Sequence, residues 1–345
     1  MSCCAVTGAN GFVGAHVVRE LLHRGHEVVA LVGAEQDSLS LDGLDVGLRE
    51  LDIRDPGSVR AALAGADAVV HAAATYAFWA ADRHDIYRVN VDGTRNVLEA
   101  ARHLGVGRLV HVSSAATLAP TSENADDPAR PSGEDGVLDL SRFRGHYKAS
   151  KAMAEKLAVR AGAVVVRPTT VIGPGDRRPT PSGSMILHYL EGHMKVLVEM
   201  RQNVVDVRDV ASGIALALER GATGGRYVLG GDNMTMRRLC ALLEELTGIP
   251  APRMRLPLPL LWAAGAANEW VADHVTRRPP LVTREDALHA RDSRFLASGR
   301  ASRELGYEPR TARAALAAAV RFFAEEGYVS PPVAERVLRG LPDPG

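Results

Sequence analysis

Two hydrophobic periods alternate along the first half of the chain. Short continuous apolar runs are typical of buried strands, and they occur at residues 2–7, 27–32, 46–51, 67–71, 108–113 and 163–167. Between the runs, apolar residues recur at helical spacing, as over 11–24 and over 85–104. Strands that alternate with helices predict a parallel sheet covered by helices on both faces.

The pattern changes after about residue 173, where a stretch rich in Pro and Gly predicts a loop. Beyond it the periodicity predicts short strands near 196–198, 203–207 and 226–229, and helices near 184–193, 209–219, 235–247, 258–275 and 311–325. We therefore expect an α/β protein. Its doubly wound Rossmann domain spans 1–172, with a return near 203–220. A smaller mixed α/β substrate domain spans 173–330, and 331–345 is a tail. The polar segment 119–136 is expected to be a mobile surface loop.

Composition narrows the function classes. Apolar residues make up 46% of the chain and charged residues 24%, which is typical of a soluble globular protein. The formal net charge is zero, which removes the electrostatic case for nucleic acid or an anionic membrane as the main partner. Three cysteines and twelve scattered histidines show no disulfide or metal spacing, so we expect no metal and a cytoplasmic location. We expect neither a signal peptide nor a transmembrane segment.

A glycine run follows the first predicted strand. It reads Thr7-Gly-Ala-Asn-Gly-Phe-Val-Gly14. Glycine permits a tight turn and a close approach of the backbone to a pyrophosphate, and the following helix offers its free N–H groups to the phosphates. The run therefore predicts a dinucleotide site with these contacts: Gly8, Asn10, Gly11, Phe12, Val13 and Gly14.

Residues after later strands are further candidates for cofactor contacts. Glu35 follows the second strand and is either a ribose ligand or a solvated loop acid; no Arg follows that strand directly, which favours NAD slightly over NADP. Asp52, beside Ile53, is a candidate for the adenine amino group or a simple helix-entry acid. The small residues Ala72, Ala73 and Ala74 let a cofactor lie against the backbone.

Tyr147 and Lys151 lie four residues apart on a predicted helix, so they face the same side. A neighbouring ammonium lowers the pKa of a phenol, and Tyr147 can then exchange a proton with a substrate near neutral pH. Ser114, at the end of the fifth strand, is a candidate to bind the substrate oxygen. Either pattern alone has a purely structural explanation. Their joint occurrence with the glycine run predicts hydride transfer.

Together these motifs resemble the extended short-chain dehydrogenase/reductase family. Gly8, Gly11 and Gly14 match its glycine motif, Asp52 its adenine-contacting acid, and Ser114, Tyr147 and Lys151 its catalytic set. The resemblance implies cofactor contacts at Ser113, Tyr147, Lys151, Pro168, Thr169, Thr170 and Val171. It also implies a homodimer formed through the helices around 85–104 and 145–160. Segments such as 86–94 and 227–231 are most similar to the hopanoid-associated sugar epimerase and dihydroflavonol-reductase-like groups.

Departures from the family pattern narrow the chemistry. Family dehydratases carry Asp-Glu where this chain has Ala115 and Ala116, so the proton carriers for elimination are missing. The position of the UDP-sugar Arg aligns with Gln202. We therefore expect a ketone reductase or secondary alcohol dehydrogenase acting on a small or apolar molecule. The alternatives are an NAD-dependent sugar epimerase and a non-catalytic dinucleotide sensor. Candidate substrate contacts are Tyr76, Trp79, Ser114, Pro181, Met185 and Tyr189.

Overall fold

The computed structural model describes residues 2–34, 37–76, 83–118, 134, 145–278, 280 and 282–341. Its strands are β1 (Cys3–Thr7), β2 (Glu27–Val32), β3 (Gly47–Glu50), β4 (Ala68–His71), β5 (Arg108–Val112), β6 (Val164–Pro168), β7 (Thr170–Ile172), β8 (Val196–Leu197), β9 (Arg201–Asp206), β10 (Arg226–Leu229), β11 (Asp232–Thr235) and β12 (Met254–Arg255).

The helices are α1 (Phe12–His23), α2 (Pro56–Ala62), α3 (Arg83–Tyr87), α4 (Gly93–His103), α5 (His146–Arg160), α6 (Pro181–Leu190), α7 (Val207–Arg220), α8 (Met236–Thr247), α9 (Leu258–Val271), α10 (Arg284–Arg291), α11 (Ala312–Glu325) and α12 (Pro331–Gly340). Wide π-helical turns occur at Arg88–Asp92, Ala272–Thr276 and Ala301–Leu305. The first of these joins α3 to α4, so the predicted helix over 85–104 is interrupted. Within the described ranges, no helix combines the length and apolar character needed to cross a bilayer.

Seven parallel strands form the main sheet in the order β10-β6-β5-β4-β1-β2-β3. Residues of β1 alternate between its two faces: Cys4 and Val6 pack with α1 and α7, whereas Ala5 packs with α2 and α4. The strand order reverses between β1 and β4, and the crevice outside the carboxyl ends of strands at such a point is where α/β sheets bind ligands. The predicted doubly wound Rossmann fold is confirmed.

The boundary between the two domains differs from the expected one. Strand β10 was placed in the substrate domain, but it pairs in parallel with β6 and is an edge strand of the main sheet. Helix α7, inside the segment expected to return, packs against α1. Ala301, Leu305 and Tyr307 also belong to the Rossmann core. The chain therefore passes between the domains several times.

The substrate domain has its own core beneath two small sheets, β11-β9-β7 and β12-β8. The core joins α6, α8 and α11, with residues such as Ile186, Leu243 and Phe323 fully buried. The expected tail is wrong for 331–340, because Pro331 occupies the first turn of α12 and Val337 is buried in this core. Helices α9 and α10 form a hairpin around a separate small cluster of Leu261, Ala287 and Ala290.

Candidate active site

The glycine turn lies at the carboxyl end of β1, the central strand. Gly8 has φ +66°, in the left-handed region that favours glycine, and a Cβ there would lie 2.8 Å from the Cα of Ala73. A Cβ on Gly14 would overlap the carbonyl oxygen of Gly8. These two contacts let α1 start directly against the strand. The turn is therefore shaped by two positions where no larger residue fits.

Helix α1 begins at Phe12, and its N-cap residue, Gly11, is exposed and supplies no side-chain cap. The first turn of the helix thus borders an open cleft. The cleft is lined by Asn10, Gly11, Phe12, Asp37, Ser40 and residues 175–178. Free N–H groups and the positive end of a helix dipole favour a phosphate. The turn therefore fits the diphosphate of a dinucleotide, with Val13 and Gly14 in the first turn of the helix.

Other predicted cofactor residues lie along the same edge of the sheet. Asp52 and Ile53 follow β3, and the Asp52 carboxylate is exposed and accepts hydrogen bonds from Arg54. Ala72, Ala73 and Ala74 follow β4, where the amide of Ala73 donates to Thr7 Oγ1 at 3.1 Å. Pro168, Thr169, Thr170 and Val171 lie at the junction of β6 and β7. Glu35 lies outside the described residues.

The structure brings Ser114 and Tyr147 together. Tyr147 lies in the first turn of α5, is 8% exposed and shares a hydrogen bond with Ser114. Lys151 lies one turn later and is 3% exposed. Its Nζ donates to the carbonyl oxygen of Val112 at 2.7 Å, which holds the amine at the end of β5. The phenol is therefore inside the protein at the mouth of the sheet.

The electrostatics of this set differ from the expectation in one respect. Burial raises the pKa of Tyr147 to about 12, partly offset by the Ser114 hydrogen bond and increased by the carboxylate of Glu285. We expected Lys151 to lower the pKa of this phenol, but its charge is not among the causes of the shift. Burial also lowers the pKa of Lys151 to about 8, partly offset by Glu155. The burial of both groups explains why their charged forms are disfavoured.

A buried polar network supports the end of β5. Ser113 Oγ donates to Glu155 Oε2 at 2.5 Å, and Thr117 Oγ1 donates to the same oxygen at 2.8 Å. Arg167, which is fully buried, forms a two-nitrogen ion pair with Glu155 and donates to the carbonyl oxygen of Glu134 at 2.8 Å. Ser113 is a predicted cofactor contact. Because its hydroxyl donates to Glu155, only its backbone is left to make that contact.

Asn90 fixes the segment beside Tyr147. Its Oδ1 accepts from the amide of Thr75 at 2.8 Å, and its Nδ2 donates to Ser150 Oγ at 3.0 Å. Tyr76 follows directly, and its ring lies 4.8 Å from the ring of Tyr147, centroid to centroid. Tyr76 is half-exposed, so it remains a candidate wall of the substrate site.

The other predicted substrate contacts lie in different environments. Tyr189 is wrong as a wall residue, because it is 2% exposed in the substrate-domain core and its hydroxyl donates to the carbonyl oxygen of Ile249 at 2.5 Å. Met185 packs on the same core, and Pro181 is exposed at the start of α6. Trp79 lies outside the described residues, as does the loop 119–136 apart from 134. Glu134 itself is buried, with its carboxylate accepting from the amide of Arg300 at 3.0 Å.

Sequence reasoning missed Glu285, a residue of α10 that reaches the start of α5. Its carboxylate accepts from the backbone N–H of His146, at the start of α5. A Cβ on Gly145 would collide with that carboxylate, so glycine is needed there. Burial raises the pKa of Glu285 to about 7, partly offset by Lys148. Gly145, directly before the Tyr147 turn, was the available signal, but it does not reveal its partner.

Comparison with known proteins adds the family. The sequence model of the NAD dependent epimerase/dehydratase family matches residues 4–230, well over half of the chain. The chain belongs to this family. The predicted resemblance to the extended short-chain dehydrogenase/reductases is thereby confirmed, as is an enzyme that uses NAD or NADP.

Three individual proteins in this family are particularly similar. A protein of Synechocystis sp., provisionally named a dihydroflavonol 4-reductase, is 37% identical over 341 residues, covering 95% of this chain and 96% of its own. Sterol demethylase protein B of Methylococcus capsulatus is 34% identical over 330 residues, covering 94% of this chain and 99% of its own. The crystal structure of gox2253 is 37% identical, with a TM-score of 0.84, and the match covers 96% of this chain and all of the other.

Proposed function

We propose that this family member is a ketone reductase or secondary alcohol dehydrogenase that uses Ser114, Tyr147 and Lys151. The observation that carries the proposal is the hydrogen bond between Ser114 and the buried Tyr147, formed at the end of β5 and within one helical turn of Lys151. Two hydroxyls that meet in this way can hold one carbonyl oxygen between them.

The protein positions the substrate and protonates its oxygen, and a bound nicotinamide would supply or accept the hydride. Ser114 binds the substrate oxygen. Tyr147 gives its phenolic proton to that oxygen during reduction and takes it back during oxidation. The raised pKa of Tyr147 keeps the phenol protonated, as a proton donor requires. Lys151, held by the carbonyl oxygen of Val112, lies one turn further along the same face of α5, where it would hold the ribose of the nicotinamide.

The substrate is proposed to be small or apolar rather than a nucleotide sugar. Ala115 and Ala116 directly follow Ser114 and offer no acid or base for eliminating water. Gln202, at the position expected for a diphosphate-binding Arg, is buried with its Nε2 directed at Met236 Sδ at 3.6 Å. The names of the Synechocystis and Methylococcus relatives, a flavonoid-type reductase and a sterol-processing protein, support an apolar ketone.

We propose NAD rather than NADP as the preferred cofactor, since Gly33 and Ala34 follow β2 and neither offers a cation to a 2′-phosphate. A second candidate function is epimerisation with transient oxidation, favoured by the family description. It shares the first half-reaction. A dinucleotide sensor is the least supported candidate, because the catalytic pair is present.

One assay separates these functions. Purified protein is mixed with NADH or NADPH and a panel of aromatic, steroid and polyketide-like ketones, and cofactor oxidation is followed by absorbance. Stoichiometric oxidation of NADH supports the reductase. Tightly copurified NAD, with substrate interconversion and no net oxidation, replaces it by an epimerase. The Tyr147→Phe variant should lose turnover, whereas Tyr227→Phe is the matched control, because Tyr227 lies near the amino end of β10, at the opposite edge of the sheet.

A homodimer through α4 and α5 and a cytoplasmic location are also proposed. The family resemblance supports the dimer, as do the apolar side chains of Leu104 and Met153, each 38% exposed on or next to these helices. The three free cysteines support the location. Sedimentation of the wild type and of Met153→Glu tests the dimer: the variant should shift to monomer.

A further inference from the structure

Helix α9 exposes an apolar face that the proposed reaction does not use. Its residues Leu260, Ala263, Ala264, Ala267, Trp270 and Val271 share one side at helical spacing, and all six are exposed. Leu260 is 58% exposed and Trp270 60%. Every exposed residue of this helix is apolar, and its one acid, Glu269, is buried. A continuous exposed apolar face of this kind marks an interaction surface.

We call these six exposed residues the apolar stripe, and the opposite face of α9 fixes the direction in which the stripe points. Leu261, Gly265 and Glu269 are buried on the side of α9 that packs against α10 and its N-cap. A Cβ on Gly265 would lie 2.5 Å from the backbone of Thr283, and Glu269 accepts from the amide of Arg284 at 2.8 Å. These contacts bury one side of α9 and leave the stripe on the solvent-exposed side. The exposure of the stripe is therefore fixed by the packing of the opposite face.

Arginines flank the stripe at both ends. Arg253 and Arg255 precede α9, and Arg277 and Arg278 follow the π-turn that continues it; all four are exposed. Arg255 also lies 3.6 Å from Glu199. Val275, in the π-turn, extends the apolar side and is 67% exposed. The zero net charge of the whole chain does not decide the local field, because the acids close to α9 are paired: Glu269 with Arg284, Asp273 with Arg83 and Glu199 with Arg255.

We propose that this stripe docks on the surface of an anionic lipid bilayer. An interfacial helix combines an apolar side carrying Trp and Leu with basic residues for the headgroups, and each of these features is present here. Helix α9 has 14 residues, about 21 Å at 1.5 Å per residue, which suits a helix lying in the interface plane but is too short to span the hydrocarbon core. Charge complementarity selects anionic lipid over a neutral apolar partner.

The test needs no substrate, so its failure is distinguishable from failure of the proposed reaction. The full chain is floated with vesicles of phosphatidylcholine alone or containing roughly a third phosphatidylglycerol, and the tryptophan emission is recorded. We expect flotation and a blue shift with the anionic vesicles only, both reversed by high salt. A double variant, Trp270→Ser with Val271→Ser, should reduce the bound fraction at least about tenfold. Arg277→Gln with Arg278→Gln should weaken binding to anionic vesicles.

The matched control is Leu48→Ser, since Leu48 is an equally exposed leucine on β3 in the other domain. It should bind vesicles as the wild type does. Absence of flotation with either vesicle overturns the proposal, as does equal binding to both compositions. Self-association that the serine pair abolishes, measured by sedimentation, also overturns it and assigns the stripe to a second copy of the chain. Circular dichroism confirms that the serine variant is folded.

Discussion

Removing the carboxylate of Glu155 should destabilise the protein strongly. Arg167 is 0% exposed, and in Glu155→Ala its guanidinium loses the partner of two of its nitrogens and keeps only the carbonyl of Glu134. Ser113 loses its acceptor at the same time, and Thr117 keeps only the carbonyl oxygen of Ser114. Breaking a buried ion pair by removing one partner costs about 3–5 kcal/mol, because the remaining charge is buried and uncompensated.

The magnitude matters because a domain unfolds with only about 5–15 kcal/mol. Urea denaturation, followed by circular dichroism with constant slope, gives the free energy of unfolding of each variant. We expect Glu155→Ala to lower it by about 4 kcal/mol. The double variant Glu155→Met with Arg167→Met should be more stable than Glu155→Ala, because it leaves no buried charge.

The control is Glu335→Ala, which removes a carboxylate from an exposed pair with Arg339 on α12 and should leave the free energy of unfolding unchanged. A loss below about 1 kcal/mol in Glu155→Ala would refute the reasoning. So would a double variant less stable than the single one. Either result would mean that Arg167 finds water or another acceptor when Glu155 is removed.

Three further changes test the turn, the carboxylate at α5 and the lysine. Gly14→Ala places a methyl group against the Gly8 carbonyl, so NADH binding should weaken at least tenfold in a fluorescence titration, about 1.4 kcal/mol, whereas Gly57→Ala, in an open first turn, should bind normally. Glu285→Gln removes a group whose pKa rises from 4.5 to about 7 on folding. Such a group stabilises the fold at low pH, and that contribution, at most roughly 3 kcal/mol, is lost as the pH rises through 7. The melting temperature of the variant should therefore change less between pH 5 and 8 than that of the wild type. An equal pH dependence of the two melting temperatures would contradict this. Lys151→Met should lower turnover more than tenfold, and unchanged turnover would remove the lysine from the mechanism.

The central sheet and the placement of Tyr147 beside Lys151 were accessible from sequence because each depends on local pattern. A buried parallel strand is an uninterrupted apolar run, and Val164–Pro168 is buried throughout. The glycine turn is encoded by sequence spacing, since the backbones of Gly8 and Gly14 come into contact across a short local segment. Tyr147 and Lys151 share a face by helical geometry alone.

Features that depend on distant partners were not accessible. The run at 226–229 looks like any short strand, and nothing local says that it pairs with β6 across some sixty residues. Tyr189 was expected in a pocket, yet an aromatic residue at helical spacing is equally suited to a core, which is where it lies. The hydroxyl of Ser113 is bound by Glu155, which lies 42 residues further along the chain. Each outcome is decided by tertiary contact.

The most direct test of the central claim is the rate of hydride transfer in Tyr147→Phe. Wild type and variant are first shown to bind NADH equally by fluorescence titration, and single-turnover oxidation of NADH by an accepted ketone is then followed in a stopped-flow instrument. If Tyr147 is the proton donor, the rate should fall at least a hundredfold, about 2.7 kcal/mol of transition-state stabilisation. A loss of less than tenfold with cofactor binding intact would contradict the role assigned to this phenol.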